Sequence, residues 1–165
     1  MKSQAAFTIV ELMVTVAVVA ILLVVAAPSM EYMLVNGKIT SKASDFIRTL
    51  HYARTEAVTR NTTVQITPNN EGTEGANWSR GWEICCDKDN QRQVKKYEDE
   101  VSLILAGGKQ INTIRFDAKG KVPEAQNQQL EFRVCSKKHP QYDGRIITIR
   151  PIGTVNVKRT RVSCS

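Results

Sequence analysis

Glu11 is the one ionisable side chain in an otherwise apolar run, FTIVELMVTVAVVAILLVVAA, that covers residues 7–27. An ionised carboxylate in hydrocarbon costs about 2.5–3.5 kcal/mol, so it calls for a partner, for protonation, or for a place near lipid headgroups. The residues just before the run offer a route to a partner. A cut between Ala6 and Phe7 would give Phe7 a free amine four residues from Glu11 on the same helix. Amine and carboxylate on neighbouring copies would then neutralise each other.

The cysteines Cys85, Cys86, Cys135 and Cys164 form the second reactive set, and sequence alone leaves their connectivity open. We favour Cys135 with Cys164, which would clasp the C-terminal tail onto a strand. In Gly81 to Cys86, strand alternation puts Trp82, Ile84 and Cys86 on one face and Glu83 and Cys85 on the other, so a Cys85 to Cys86 bridge is not expected. Neither the cysteines nor His51 and His139 have the spacing of zinc ligands. In DKDNQRQVKKYE, Arg92 stands where a calcium loop needs glycine, and Asp87, Asp89, Glu98, Asp99 and Glu100 read as turn acids. There is no phosphate-binding glycine loop and no nucleophile elbow. We therefore expect no enzyme, no catalytic residue, no metal and no cofactor.

The elements that carry these groups follow from periodicity. As a helix, residues 7–27 would reach about 30 Å, the thickness of a bilayer core. A secretory signal would place its small residues after the apolar run, whereas Ala5 and Ala6 precede it. Pro28 should kink or loosen the helix, and Gly37 is a second weak point. Beyond them Ile39, Ala43, Phe46, Ile47, Leu50, Ala53 and Ala57 recur at three- and four-residue steps. Lys42, Asp45, Arg48, Arg54 and Glu56 are assigned to the polar face. After Asn61 the period falls to two, predicting antiparallel strands over 62–67, 81–86, 92–97, 113–117, 130–135, 145–150 and 154–158. Four cysteines beyond the apolar run suit a disulfide-permissive compartment. Net charge is +7, and the basic excess lies in residues 133–165, where Asp143 is the only acid.

The segment MKSQAAFTIVELMV resembles the class III signal of type IV pilins and of the pseudopilins of type II secretion. That resemblance implies that a prepilin peptidase cleaves between Ala6 and Phe7, that the new amine of Phe7 is methylated, and that Glu11 guides subunits into a filament. The chain departs from the family at Ala6, where glycine is strongly preferred; cleavage is expected to survive at a lower rate. Two further segments, HYARTEAVTRN at 51–61 and DGRIITIRPIGTVNV at 143–157, resemble the GspH/FimT family, and most of all its FimU-type members. Tyr52, Arg54 and Glu56 are then expected to finish the helix and contact the sheet.

The implied fold is α+β and type IV pilin-like, a long N-terminal helix packed on an antiparallel β domain. Its expected parts are a leader at 1–6, a transmembrane and filament-core helix at 7–27, an amphipathic helix at 28–60 and a periplasmic β domain at 61–165. The implied role is a minor pilin in a priming or tip-proximal complex, serving pilus biogenesis and twitching. Partners would be other minor and major pilins, the prepilin peptidase and an inner-membrane assembly platform. The chain would be single-pass in the inner membrane before it enters a pilus or pseudopilus. A type II secretion pseudopilin is one alternative. The other is a FimT-like DNA-binding pilin of natural transformation, in which Arg145, Arg150, Lys158, Arg159 and Arg161 would converge on phosphates. The family's Gly-Arg-x-Arg tail is absent, since Gly153 is followed by Thr154, Val155 and Asn156.

Overall fold

The computed structural model describes residues 7–69, 77–86, 93–96, 101–106, 111–125, 128–162 and 164; the side chains of residues 25–29, 86 and 93–96 lie outside that description. The acids Asp87, Asp89, Glu98, Asp99 and Glu100, and the cleavage position Ala6, also lie outside the described residues. The chain divides into two units, Met1–Val35 and Asn36–Ser165, which share the helix α1, Ile9–Arg60.

In the first unit, α1 starts at Ile9 under a threonine cap. The amide of Glu11 donates to Thr8 Oγ1 at 3.2 Å, and the amide of Leu12 to the Thr8 carbonyl. Thr8 and Glu11 thus occupy the N-cap and N3 positions, the Thr-x-x-Glu sequence of a capping box, with Thr8 Oγ1 accepting the N3 amide. Phe7 therefore stands before the helix and not within it, which corrects the expectation that it shares a helix with Glu11. The helix also runs through Pro28 and Gly37 without a break in its assignment. Among the described residues no helix is long and apolar enough to cross a membrane.

In the second unit, the α1 residues from Asn36 onward lie on two four-stranded antiparallel sheets. One has the order β3-β2-β1-β5, from β1 (Val64–Pro68), β2 (Gly81–Cys86), β3 (Gln93–Lys96) and β5 (Ile114–Phe116). The other has the order β4-β6-β7-β8, from β4 (Val101–Leu105), β6 (Leu130–Ser136), β7 (Asp143–Ile149) and β8 (Val155–Arg161). The strand β4 was not anticipated. Val101, Ser102 and Leu103 are all buried, so the segment shows no alternation to betray it. The helix stripe Ile39, Ala43, Phe46, Leu50, Ala53 and Ala57 is fully or almost fully buried, and its alanines let the helix backbone come close to the strands. Phe46 sits between the sheets, edge-on to Trp82 of β2 and to Phe132 of β6, each at a ring-centre distance of 4.9 Å. Both tryptophan N–H groups are satisfied, Trp82 by Thr49 Oγ1 at 2.8 Å and Trp78 by the Ile111 carbonyl at 3.0 Å.

Lys42 is not on the polar face. It is 2% exposed, and its ammonium donates to the carbonyls of Ser79 and Val101. Ser79 Oγ in turn exchanges hydrogen bonds with the backbone of Leu103. The lysine thereby ties α1 to the turn before β2 and to β4, one contact toward each sheet. The signal was present: position 42 is three after Ile39 and four before Phe46, on the buried stripe.

The helix ends in a Schellman motif. Asn61 takes the left-handed conformation (φ 50°), its amide bonds the Val58 carbonyl, and the amide of Thr62 bonds that of Ala57 at 3.0 Å. Gly37 is different: it is exposed, and a Cβ there would meet nothing within 4 Å. Gly37→Ala is expected to stabilise the protein by about 0.5–1 kcal/mol, read as a higher urea midpoint for the full chain in detergent micelles. A lower midpoint would show that the helix needs freedom at that position.

Candidate functional site

The first candidate surface is the N-terminal helix itself. From Phe7 to Val24 every side chain is exposed, including Ile9, Leu12, Met13, Ile21, Leu22 and Leu23. A contiguous apolar surface of this extent marks contact with lipid or with other protein. Glu11 stands in the first turn, where the helix dipole favours an acid. Among the described residues no cation pairs with it.

The second candidate is the far end of α1, where the 51–61 segment acquires a specific job. Arg54 Nη2 donates to the Ile152 carbonyl at 3.1 Å in the turn between β7 and β8. Its Nε lies close against both Gly120, in the turn after β5, and Gly153. These turns come from different sheets, and the amide of Val122 joins them through the Pro151 carbonyl at 2.9 Å. Glu56 forms an ion pair with Arg60, while Tyr52 is partly exposed and points outward. Of the three residues singled out in the sequence, Arg54 holds the sheets and Tyr52 does not.

The third candidate is the basic C-terminal hairpin. The β7–β8 register pairs Asp143 with Arg161, Arg145 with Arg159 and Ile146 with Lys158. Side chains on paired residues share a face, so Arg145, Arg159 and Arg161 lie on the face toward α1, and Lys158 lies on the other. Arg145 Nη2 donates to Thr40 Oγ1 of the helix at 3.0 Å, and Arg159 Nε to Asp143 Oδ2 at 3.1 Å. Arg150 stands at the opposite end of the hairpin, beside the turn. The five cations therefore do not converge on one side, because strand alternation and hairpin length disperse them.

The disulfide joins Cys135 to Cys164 with Cα atoms 5.8 Å apart. The tail after β8 crosses β7 at Gly144 to reach β6. A Cβ on Gly144 would lie 2.3 Å from Val162 Cγ2 and 2.5 Å from the Val134 carbonyl oxygen, so only glycine admits the crossing chain. Cys85 carries a free thiol on the face opposite Trp82 and Ile84, as the alternation required. The side chain of Cys86 lies outside the described residues.

Comparison with known proteins bears on all three surfaces. A family profile described as type II transport protein GspH matches residues 42–153, and the prokaryotic N-terminal methylation motif matches residues 1–27. Two crystal forms of the type IV minor pilin FimU of Pseudomonas aeruginosa PAO1 share the fold. One has a TM-score of 0.58 at 18% identity, covering 76% of this chain and 99% of that one. The other has a TM-score of 0.59 at 17% identity, covering 79% and 97%. The minor pseudopilin EpsH of the Vibrio cholerae type 2 secretion system follows, with a TM-score of 0.53 at 13% identity, covering 73% and 95%. No curated protein is close enough in sequence to count as a match.

Proposed function

Because the chain belongs to the GspH family and is a minor pilin or pseudopilin of that type, we propose that it is a minor subunit of a type IV pilus. In this reading it enters the filament through its N-terminal helix and helps to form a priming or tip-proximal complex needed for piliation and twitching. The observation that carries the reading is the apolar helix surface from Phe7 to Val24 with one carboxylate in its first turn. Before assembly, residues 7–27 span the inner membrane and the β-sheet unit lies in the periplasm. Prepilin peptidase removes residues 1–6, and Phe7 is methylated. In the filament, Glu11 meets the terminal amine of a neighbouring pilin, while the apolar faces of the two helices pack together.

The match to the type II transport protein GspH family over residues 42–153 favours a second reading, a pseudopilin of a type II secretion system. Deleting the gene separates the two: loss of surface pili and twitching supports the first, and intact pili with blocked secretion supports the second. The DNA-binding reading gains no support from a hairpin whose cations are divided between faces and ends.

Glu11→Ala is the direct test of assembly. Leaving a neighbour's amine buried without its counter-charge is expected to lower the amount of this subunit in sheared filaments roughly tenfold. The Cys135–Cys164 bridge and the circular dichroism of the protein should be unchanged. Wild-type incorporation of the alanine variant would remove the pairing argument. The mass of the mature N-terminus checks cleavage and methylation independently.

A further inference from the structure

We infer that the free edge of β8 is a docking edge for an extended acidic strand of a partner protein, a surface separate from the helix that enters the filament. Among the described residues, β8 has β7 as its one strand neighbour and ends its sheet. Its register with β7 runs from Asp143↔Arg161 to Ile149↔Val155 without a bulge, and the strand contains no proline. An edge that is long, regular and free of proline invites pairing, because every second residue turns its N–H and C=O outward. Among the described residues three of the usual protections are therefore missing, and charge is the one that remains.

That charge has one sign. Lys158, Arg159 and Arg161 are exposed along the strand, and Asp143, bonded to Arg159, is the acid that faces them. A second copy of β8 would add three more cations to the same short edge, so self-pairing is disfavoured. A strand bearing acids is admitted.

The register specifies what such a strand would look like. On the face toward α1, β8 presents Val155, Val157, Arg159 and Arg161; on the other it presents Asn156, Lys158 and Thr160. Val157 is 55% exposed, an apolar side chain on an open edge. An antiparallel partner would therefore place acids opposite Arg161, Arg159 and Lys158, and apolar residues opposite Val157 and Val155. Written from its N-terminus, the complementary heptapeptide is Glu-Thr-Glu-Glu-Val-Thr-Val.

The test uses the full chain in neutral detergent micelles and this peptide carrying a fluorescent label. Expected are saturable binding that weakens with added salt, and slowed amide exchange confined to residues 155–161. The double variant Lys158→Glu, Arg161→Glu should bind about tenfold more weakly while its circular dichroism is unchanged. Should the double variant not fold, Val157→Glu in otherwise native sequence gives the same reading, a weaker complex, because it removes the apolar contact and sets an acid against the acidic strand. Four results would overturn the inference: no binding, equal binding of the same residues in reverse order, binding untouched by the substitutions, or binding without slowed exchange in β8. Capture of duplex DNA or anionic vesicles by these cations, with the peptide refused, would overturn it as well.

Discussion

Gly153→Ala is expected to destabilise the unit formed by residues 36–165 by about 3–5 kcal/mol, a large share of the 5–15 kcal/mol typical of a domain. Gly153 adopts φ 78°, a left-handed conformation that costs an L-residue about 1–2 kcal/mol. A Cβ there would also lie 2.0 Å from the carbonyl oxygen of Gly120. That oxygen is backbone and belongs to a turn of the other sheet, held by Asp117 Oδ1, which accepts the amides of Lys119 and Lys121. Relief requires parting the two turns over which Arg54 lies, and with them the Val122 to Pro151 hydrogen bond. Urea unfolding followed by tryptophan fluorescence is the measurement, since Trp78 and Trp82 are both buried. A loss below about 1 kcal/mol would mean that the turns can separate without disturbing the core.

Lys42→Met is expected to cost about 2–4 kcal/mol in the same measurement, although methionine keeps most of the volume and returns no charge to water. The variant leaves the Ser79 and Val101 carbonyls without the donor that now satisfies both, deep in the unit. Each unsatisfied buried acceptor costs about 1–3 kcal/mol, partly offset because an ammonium no longer has to be desolvated. A neutral or stabilising result would show that water reaches these carbonyls. It would also remove Lys42 from the account of how the sheets are joined. Lys42→Arg is a useful companion, because it retains charge but places a planar fork where a compact donor fits.

Much of this architecture was legible beforehand because it depends on spacing alone. The apolar stripe at Ile39, Phe46, Leu50 and Ala53 lies where its three- and four-residue steps put it. The β2 segment faces as its alternation required, with Trp82 and Ile84 buried and Glu83 half-buried. The failures share a cause. Strand β4 has no alternation because its first residues are covered on both faces, and Lys42 was read by its charge and not by its position on the stripe. In both cases a tertiary neighbour overrode the local rule.

The candidate sites divide in the same way. Glu11 stands out because a carboxylate among apolar residues is costly wherever the chain goes. Its capping partner Thr8 is equally legible, as the first residue of a Thr-x-x-Glu signature. The favoured bridge between Cys135 and Cys164 formed, yet the reason a tail can cross β7 to reach it, the bare Cα of Gly144, is visible only in three dimensions.

Order along one element was settled by the amino acids themselves: the helix stripe, the acid near its start, the strand faces and the basic C-terminus. These features follow from backbone periodicity and from the price of placing charge in hydrocarbon, which act within a few residues. Strand neighbours, register and the meeting of two turns under Arg54 had to wait for the folded chain. They join residues tens of positions apart, as Arg54 joins Ile152 and Lys42 joins Val101, and no local period encodes such a pairing. Five cations that share a stretch of sequence were separated for the same reason, because the β7–β8 register, and not their nearness in the chain, decides which face each one occupies.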